Sequence, residues 1–98
     1  VMAANIRALE ARGPAAALEG YAEAARLLTG DPAADPRAGA AWVAHLARDL
    51  GVPRLEAWGV QRADLAGALS QALRSRSFQA NPVDLTAGEL AVALEEAL

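Results

Sequence analysis

The fold is decided by residues 30–53, which read GDPAADPRAGAAWVAHLARDLGVP. Asp35 and Pro36 mark a helix start, because aspartate caps free backbone amides and proline suits the first helical turn. Gly51 and Pro53 mark a helix end, because glycine adopts left-handed backbone angles and proline cannot continue a helix. Apolar side chains recur between these signals at helical spacing, namely Trp42, Val43, Leu46 and Leu50. We therefore predict a helix from Pro36 to about residue 50, with these four side chains as its buried stripe.

Similar signals on the N-terminal side predict two more helices. The first covers about Met2 to Leu9 and ends near Gly13. The second begins at Pro14, runs to about residue 28 and stops at Gly30. Its expected inner face consists of Leu18, Tyr21, Ala25 and Leu28.

The C-terminal side is expected to contain two further helices separated by connectors. We expect residues 52–60 to form a connector that Leu55 and Trp58 pin to the helices. A fourth helix should cover about residues 62–74, with an inner face of Leu65, Ala68, Leu69 and Leu73. Residues 75–83 are predicted to be a polar, extended connector. Thr86 followed by Glu89 forms a capping-box pattern, so the last helix should start there, with an inner face of Leu90, Leu94, Ala97 and Leu98.

Composition narrows the possible functions. The 98 residues suffice for one domain, and we predict a single all-α domain of about five helices over residues 1–98. The chain has no cysteine, and its net charge of −3 argues against nucleic-acid binding. The apolar runs are interrupted by charges too often for a membrane span, and no signal peptide is evident. We therefore expect a cytoplasmic protein with neither nucleic acid nor membrane as a partner.

A few residues have the chemistry of a functional site, but none forms a complete one. His45 is the only histidine, and Asp49 lies one helical turn away, yet two ligands do not make a metal site. The segment from Arg74 to Ser77 offers two guanidinium groups for an anion, although a solvated helix end is favoured. Neighbouring carboxylates at Glu95 and Glu96 point to different helix faces and are expected on the solvent surface. The residues alone therefore indicate a small acidic helical domain without a self-contained active site.

Several segments, taken in order, resemble the C-terminal helical domain of iron-containing (group III) alcohol dehydrogenases. They are Val1-Met2-Ala3-Ala4-Asn5, then the tyrosine-led run Tyr21 to Leu28, then Leu46 to Pro53 followed by Leu55, Gly59-Val60 and Asp64-Leu65, and finally Asn81-Pro82, Leu85-Thr86 and Glu89-Leu90. The resemblance covers nearly the whole chain. It departs from the family at Val83, where many members carry arginine after the Asn-Pro pair.

The resemblance implies the C-terminal helical portion of a dehydroquinate synthase-like, iron-type alcohol dehydrogenase fold. Such an enzyme moves hydride between an alcohol and NAD(P), while a divalent metal, often iron, polarises the alcohol oxygen. The family's metal ligands are an aspartate and three histidines on earlier helices, and its glycine-rich cofactor loop also lies upstream. We therefore assign no catalytic, metal or cofactor residue to this chain and expect it to be inactive alone. The family places the connector before the Asn-Pro pair beside the cleft between domains, which implies a cleft-lining position for Ser77, Phe78 and Gln79.

The partner expected from the resemblance is the remainder of the same enzyme. The chain should then expose an apolar surface where the missing helices pack, and self-association through that surface is a further expectation. The alternative is a stand-alone helical interaction module without catalytic activity, which should be a monomer with a polar exterior. A related metal-dependent enzyme, such as a maleylacetate reductase or a dehydroquinate synthase-like protein, would share the fold.

Overall fold

The computed structural model describes residues 1–98, which form six α-helices and two short 3₁₀-helices without any strand. The α-helices are α1 (Met2–Arg12), α2 (Ala15–Thr29), α3 (Pro36–Asp49), α4 (Leu65–Leu73), α5 (Arg76–Gln79) and α6 (Ala87–Ala97). The 3₁₀-helices are Leu55–Trp58 and Arg62–Asp64. The all-α prediction is confirmed. The chain divides into two compact units, Met2–Val52 and Pro53–Leu98, the latter including Val1; the single domain over residues 1–98 stays a prediction.

The predicted helix signals operate as capping groups. A carboxylate oxygen of Asp35 accepts the Ala38 amide at 2.8 Å, which satisfies a free donor at the start of α3. Gly30 has a φ of 70° and donates its amide to the Arg26 carbonyl, closing α2. At α6 the Thr86 hydroxyl accepts from the Glu89 amide at 3.2 Å, and the Glu89 carboxylate accepts from the Thr86 amide at 2.8 Å. The capping-box prediction is therefore confirmed.

The Met2–Val52 unit is built on a close crossing of α2 and α3. Gly39 makes this approach possible, because a Cβ atom there would lie 2.8 Å from the Cβ and 2.9 Å from the Cα of Ala25. Helix α1 contributes Ile6 and Leu9 to the core. Asn5, only 2% exposed, donates from its Nδ2 to the Tyr21 hydroxyl at 2.9 Å, so a polar group in this core has a partner.

In the Pro53–Leu98 unit, α4 packs chiefly against α6. Four side chains form the buried core of this unit. Leu65 lies at the start of α4, Val83 and Leu85 lie in the segment before α6, and Leu90 lies in α6. Arg62 donates to the Glu95 carboxylate at 3.0 Å and links the second 3₁₀-helix to α6. This exposed pair contributes little to stability.

The largest correction concerns α3. The buried stripe predicted there is wrong: its side chains range from 37% exposed at Trp42 to 71% at Leu50, and Gly39 is the buried residue of this helix. The physical reason is the mode of packing. Helix α3 meets α2 through its smallest residue near its start, so the large side chains further along are not enclosed. Periodicity identified the apolar face correctly but does not show whether that face has a neighbour.

Four smaller expectations also fail. Trp58, expected to pin its connector, is 75% exposed on a 3₁₀-helix, although Leu55 is half-buried. Leu28 and Ala97, expected on inner faces, lie at exposed helix ends. Residues 75–83 are not an extended connector, because Ser75 caps the short helix α5 by accepting the Phe78 amide at 3.1 Å. Serine is a common N-cap residue, and the prediction of an extended connector did not take Ser75 into account as a helix start.

An ion pair joins α1 to α3 in the Met2–Val52 unit. The Arg37 Nε lies 2.9 Å from Glu10 Oε1, and its Nη2 lies 2.6 Å from Glu10 Oε2, which is the two-pronged geometry that arginine offers carboxylates. The hydrogen bond from Arg37 lowers the pKa of Glu10, and attraction to the same guanidinium lowers it further. The pKa of Arg37 is raised for the same reasons.

This pair predicts an acid-dependent loss of stability. Because the Glu10 pKa is lowered on folding, its contribution is fully present above the ordinary value of 4.5 and is lost as the pH falls through the lower folded value. We expect urea unfolding of Glu10→Gln to change less with pH over this acid range than unfolding of the unmodified chain. The difference should shrink in molar salt. Identical pH profiles for the two proteins at low salt would contradict the assignment.

Candidate functional site

The first candidate surface is the apolar side of α3. We call Trp42, Val43, Leu46 and Leu50 the α3 apolar face; all four are more than a third exposed. Their spacing places them along one side of a single helix. Scattered exposed apolar residues are ordinary, but a continuous group of large ones indicates a surface that contacts another molecule or another part of the protein. An exposed apolar surface is therefore present on the side of α3 that the sequence predicted to be buried, and its partner stays a prediction.

The second candidate is a pocket in the Pro53–Leu98 unit, which we call the Phe78 pocket. It has a volume of about 270 Å³ and an almost wholly apolar lining. Helices α4, α5 and α6 contribute to its wall through Ala72, Ser77, Phe78, Leu90 and Leu94, and Ser75, Asn81, Leu85 and Val1 complete it. Leu85 and Leu90 are buried side chains of this unit, so the pocket opens directly onto its core.

The pocket contains two of the three residues that were predicted to line a cleft. Ser77 and Phe78 lie in its wall, whereas Gln79, the last residue of α5, is exposed and does not line it. All three residues belong to the short helix α5, which lies between α4 and α6 in the chain. The resemblance singled out this segment, and Ser75 is the one residue in the sequence that signals its helix.

A groove between α1 and α3 is a third concavity, with a volume of about 300 Å³. Its floor is made of small side chains and Ile6, and its edges carry Arg7 and Arg37. The Arg37 guanidinium is already paired with Glu10, which reduces its attraction for an outside anion. We therefore assign no ligand to this groove.

His45 and Asp49 do not form the unit that their spacing suggested. His45 is exposed on α3, and its Nδ1 lies 2.7 Å from Nη2 of Arg48, so the ring nitrogen accepts from the guanidinium. Across the described chain, no three His, Asp or Glu side chains are grouped as metal ligands would be.

The remaining charged candidates lie on the surface. Arg74 ends α4 and Arg76 begins α5, and both are exposed. The hydroxyl of Ser75 between them serves as the α5 cap and donates to the Ala72 carbonyl at 2.8 Å. Glu95 and Glu96 are both exposed, which confirms the prediction that they belong to the solvent surface.

Comparison with known proteins adds no relative to these observations. No protein-family model, no curated protein and no solved structure matches the chain. Among the six α-helices, none combines the length and apolar character that a membrane span requires.

Proposed function

We propose that this chain is the C-terminal helical part of a metal- and nicotinamide-dependent alcohol dehydrogenase of the iron-containing type. Its role there is to provide a folded helical surface, and the reacting groups belong to the remainder of the enzyme. The proposal starts from the resemblance of the ordered segments that surround Gly51-Val52-Pro53, Asn81-Pro82 and the Thr86–Glu89 capping box. The all-helical structure is compatible with it.

The observation that carries the proposal is the exposure of the α3 apolar face. Fully burying one large apolar side chain is worth roughly 1.5–3 kcal/mol. Four partly exposed side chains on one helix therefore represent a considerable gain in free energy that another packing partner would provide. Further helices of the same enzyme are the partner that the resemblance supplies.

The proposal assigns the metal and the cofactor to the remainder of the enzyme and only a helical surface to this chain. In the complete enzyme a divalent metal would polarise the alcohol oxygen and NAD(P) would accept the hydride. The proposal takes the metal ligands from the remainder of the enzyme, as the resemblance implies; in this chain no three His, Asp or Glu side chains are grouped as metal ligands would be. Within the proposal, Ser77, Phe78 and Gln79 border the cleft, while metal and cofactor bind to the rest of the protein.

The proposal is tested by sequencing the coding region immediately upstream of the codon for Val1. We expect it to encode a glycine-rich nucleotide loop, followed by an aspartate and three histidines at helical spacings. An initiation codon preceded by unrelated sequence would overturn the dehydrogenase assignment and leave the interaction module as the explanation for the exposed face.

The α3 apolar face also predicts the behaviour of the isolated chain. Replacing Leu50 by glutamate should change the free energy of unfolding by no more than about 0.5 kcal/mol, because this side chain is exposed. The same change should reduce any concentration-dependent increase in mass measured by light scattering. Val92→Glu is the matched control, since Val92 is exposed on α6 and lies outside the face. Unfolding of Leu50→Glu would show that the face is already buried.

A further inference from the structure

We propose that the Phe78 pocket binds a small neutral molecule with an apolar body of about one aromatic ring. This inference does not depend on the dehydrogenase assignment. It starts from the shape of the pocket. A dry apolar cavity of roughly 150 Å³ is enough to hold benzene, and the Phe78 pocket offers about 270 Å³. One ring with one substituent therefore fits, whereas a nucleotide does not.

The lining determines the polarity of the ligand. Phe78, Leu90 and Leu94 supply apolar walls that would replace water around a ring. The Ser75 hydroxyl is occupied by its bonds to Ala72 and Phe78, and the Asn81 Nδ2 donates to the Val83 carbonyl at 2.6 Å. No arginine, aspartate or glutamate lines the pocket. A ligand with several polar groups would lose its hydration there without gaining partners.

Ser77 does not change this preference. It lies in the pocket wall but is exposed to solvent, and the lining as a whole presents almost no polar surface. A ring that carries a polar group would lose part of its hydration on entering the pocket, so the bare hydrocarbon is favoured.

The test is an NMR titration of the 98-residue chain with phenol and, separately, with toluene. We expect saturable shifts confined to Phe78, Leu90, Leu94 and their neighbours, with roughly millimolar affinity for ligands of so few atoms. Toluene should bind more tightly than phenol, because the phenol hydroxyl would lose hydration in a lining with almost no polar surface. Ser77→Ala should leave the affinity for both ligands unchanged.

Filling the pocket provides the second arm of the test. Ala72→Leu adds three carbon atoms to the wall and should weaken both ligands at least tenfold. Ala97→Leu makes the same replacement at an exposed position of α6 outside the pocket and should have no effect. Circular dichroism would verify that both variants remain folded. The proposal is overturned if the shifts spread over the surface without saturating, or if Ala72→Leu binds both ligands as the unmodified chain does.

Discussion

Replacing Gly39 by alanine should destabilise the chain, although alanine is the better helix former. The added Cβ would lie 2.8 Å from the Cβ and 2.9 Å from the Cα of Ala25, closer than such atoms can approach. Ala25 is fully buried in α2, and neither contacted atom can move without moving the helix. We expect the strain of overpacking to cost about 1–3 kcal/mol and to exceed the gain of about 1 kcal/mol in helix propensity. Urea unfolding followed by circular dichroism would measure the difference.

Gly20→Ala is the matched control for this prediction. Gly20 lies in the interior of α2, and a Cβ atom there would meet no atom within 4 Å. The same substitution should therefore stabilise the chain by about 0.5–1 kcal/mol. Opposite signs for the two alanine variants would confirm that α2 and α3 meet at Gly39. Equal stabilisation by both would show that the close crossing does not exist.

The second large effect is expected from Leu90→Ala. Leu90 is 6% exposed and lies in the core of the Pro53–Leu98 unit. Truncating a buried leucine removes apolar contacts and leaves a cavity, which costs about 2–5 kcal/mol. For so small a unit we expect much of the α4–α6 structure to be lost. Loss of helical circular dichroism, together with the NMR signals of α4 and α6, would report this.

Leu27→Ala provides the comparison at an exposed leucine. Leu27 is 81% exposed near the end of α2, so its truncation should change the free energy of unfolding by less than about 0.5 kcal/mol. The contrast between two chemically identical substitutions isolates burial as the cause. Similar losses at both positions would contradict the core described for the Pro53–Leu98 unit.

Local signals in the sequence were sufficient to locate most of the helices. Asp35 and Thr86 begin helices because their side chains accept hydrogen bonds from free amides of the first turn. Gly30 ends a helix because it adopts the left-handed conformation. The ends of α2, α3 and α6 therefore lie within a residue or two of their predicted places. The short helix α5 was not predicted, because Ser75 lies in a segment whose apolar residues do not recur at helical spacing.

Packing could not be read from the same signals. Trp42 and Leu46 have the spacing of a buried face, yet α3 meets α2 through Gly39, a residue that no scale of apolar character selects. Whether a face is covered depends on the three-dimensional neighbours of the helix. The Phe78 pocket illustrates the same limit, since Ala72, Phe78 and Leu94 are distant in sequence and come together only when α4, α5 and α6 pack.

The most direct test of the dehydrogenase assignment is the activity of the product of the complete coding region that contains this chain. The assignment predicts that this product reduces NAD or NADP in the presence of a primary alcohol and a divalent metal, and that a chelator abolishes the reaction. The 98-residue chain assayed beside it should show no activity. A complete product that folds, retains its metal and still transfers no hydride from any of a panel of alcohols would contradict the assignment.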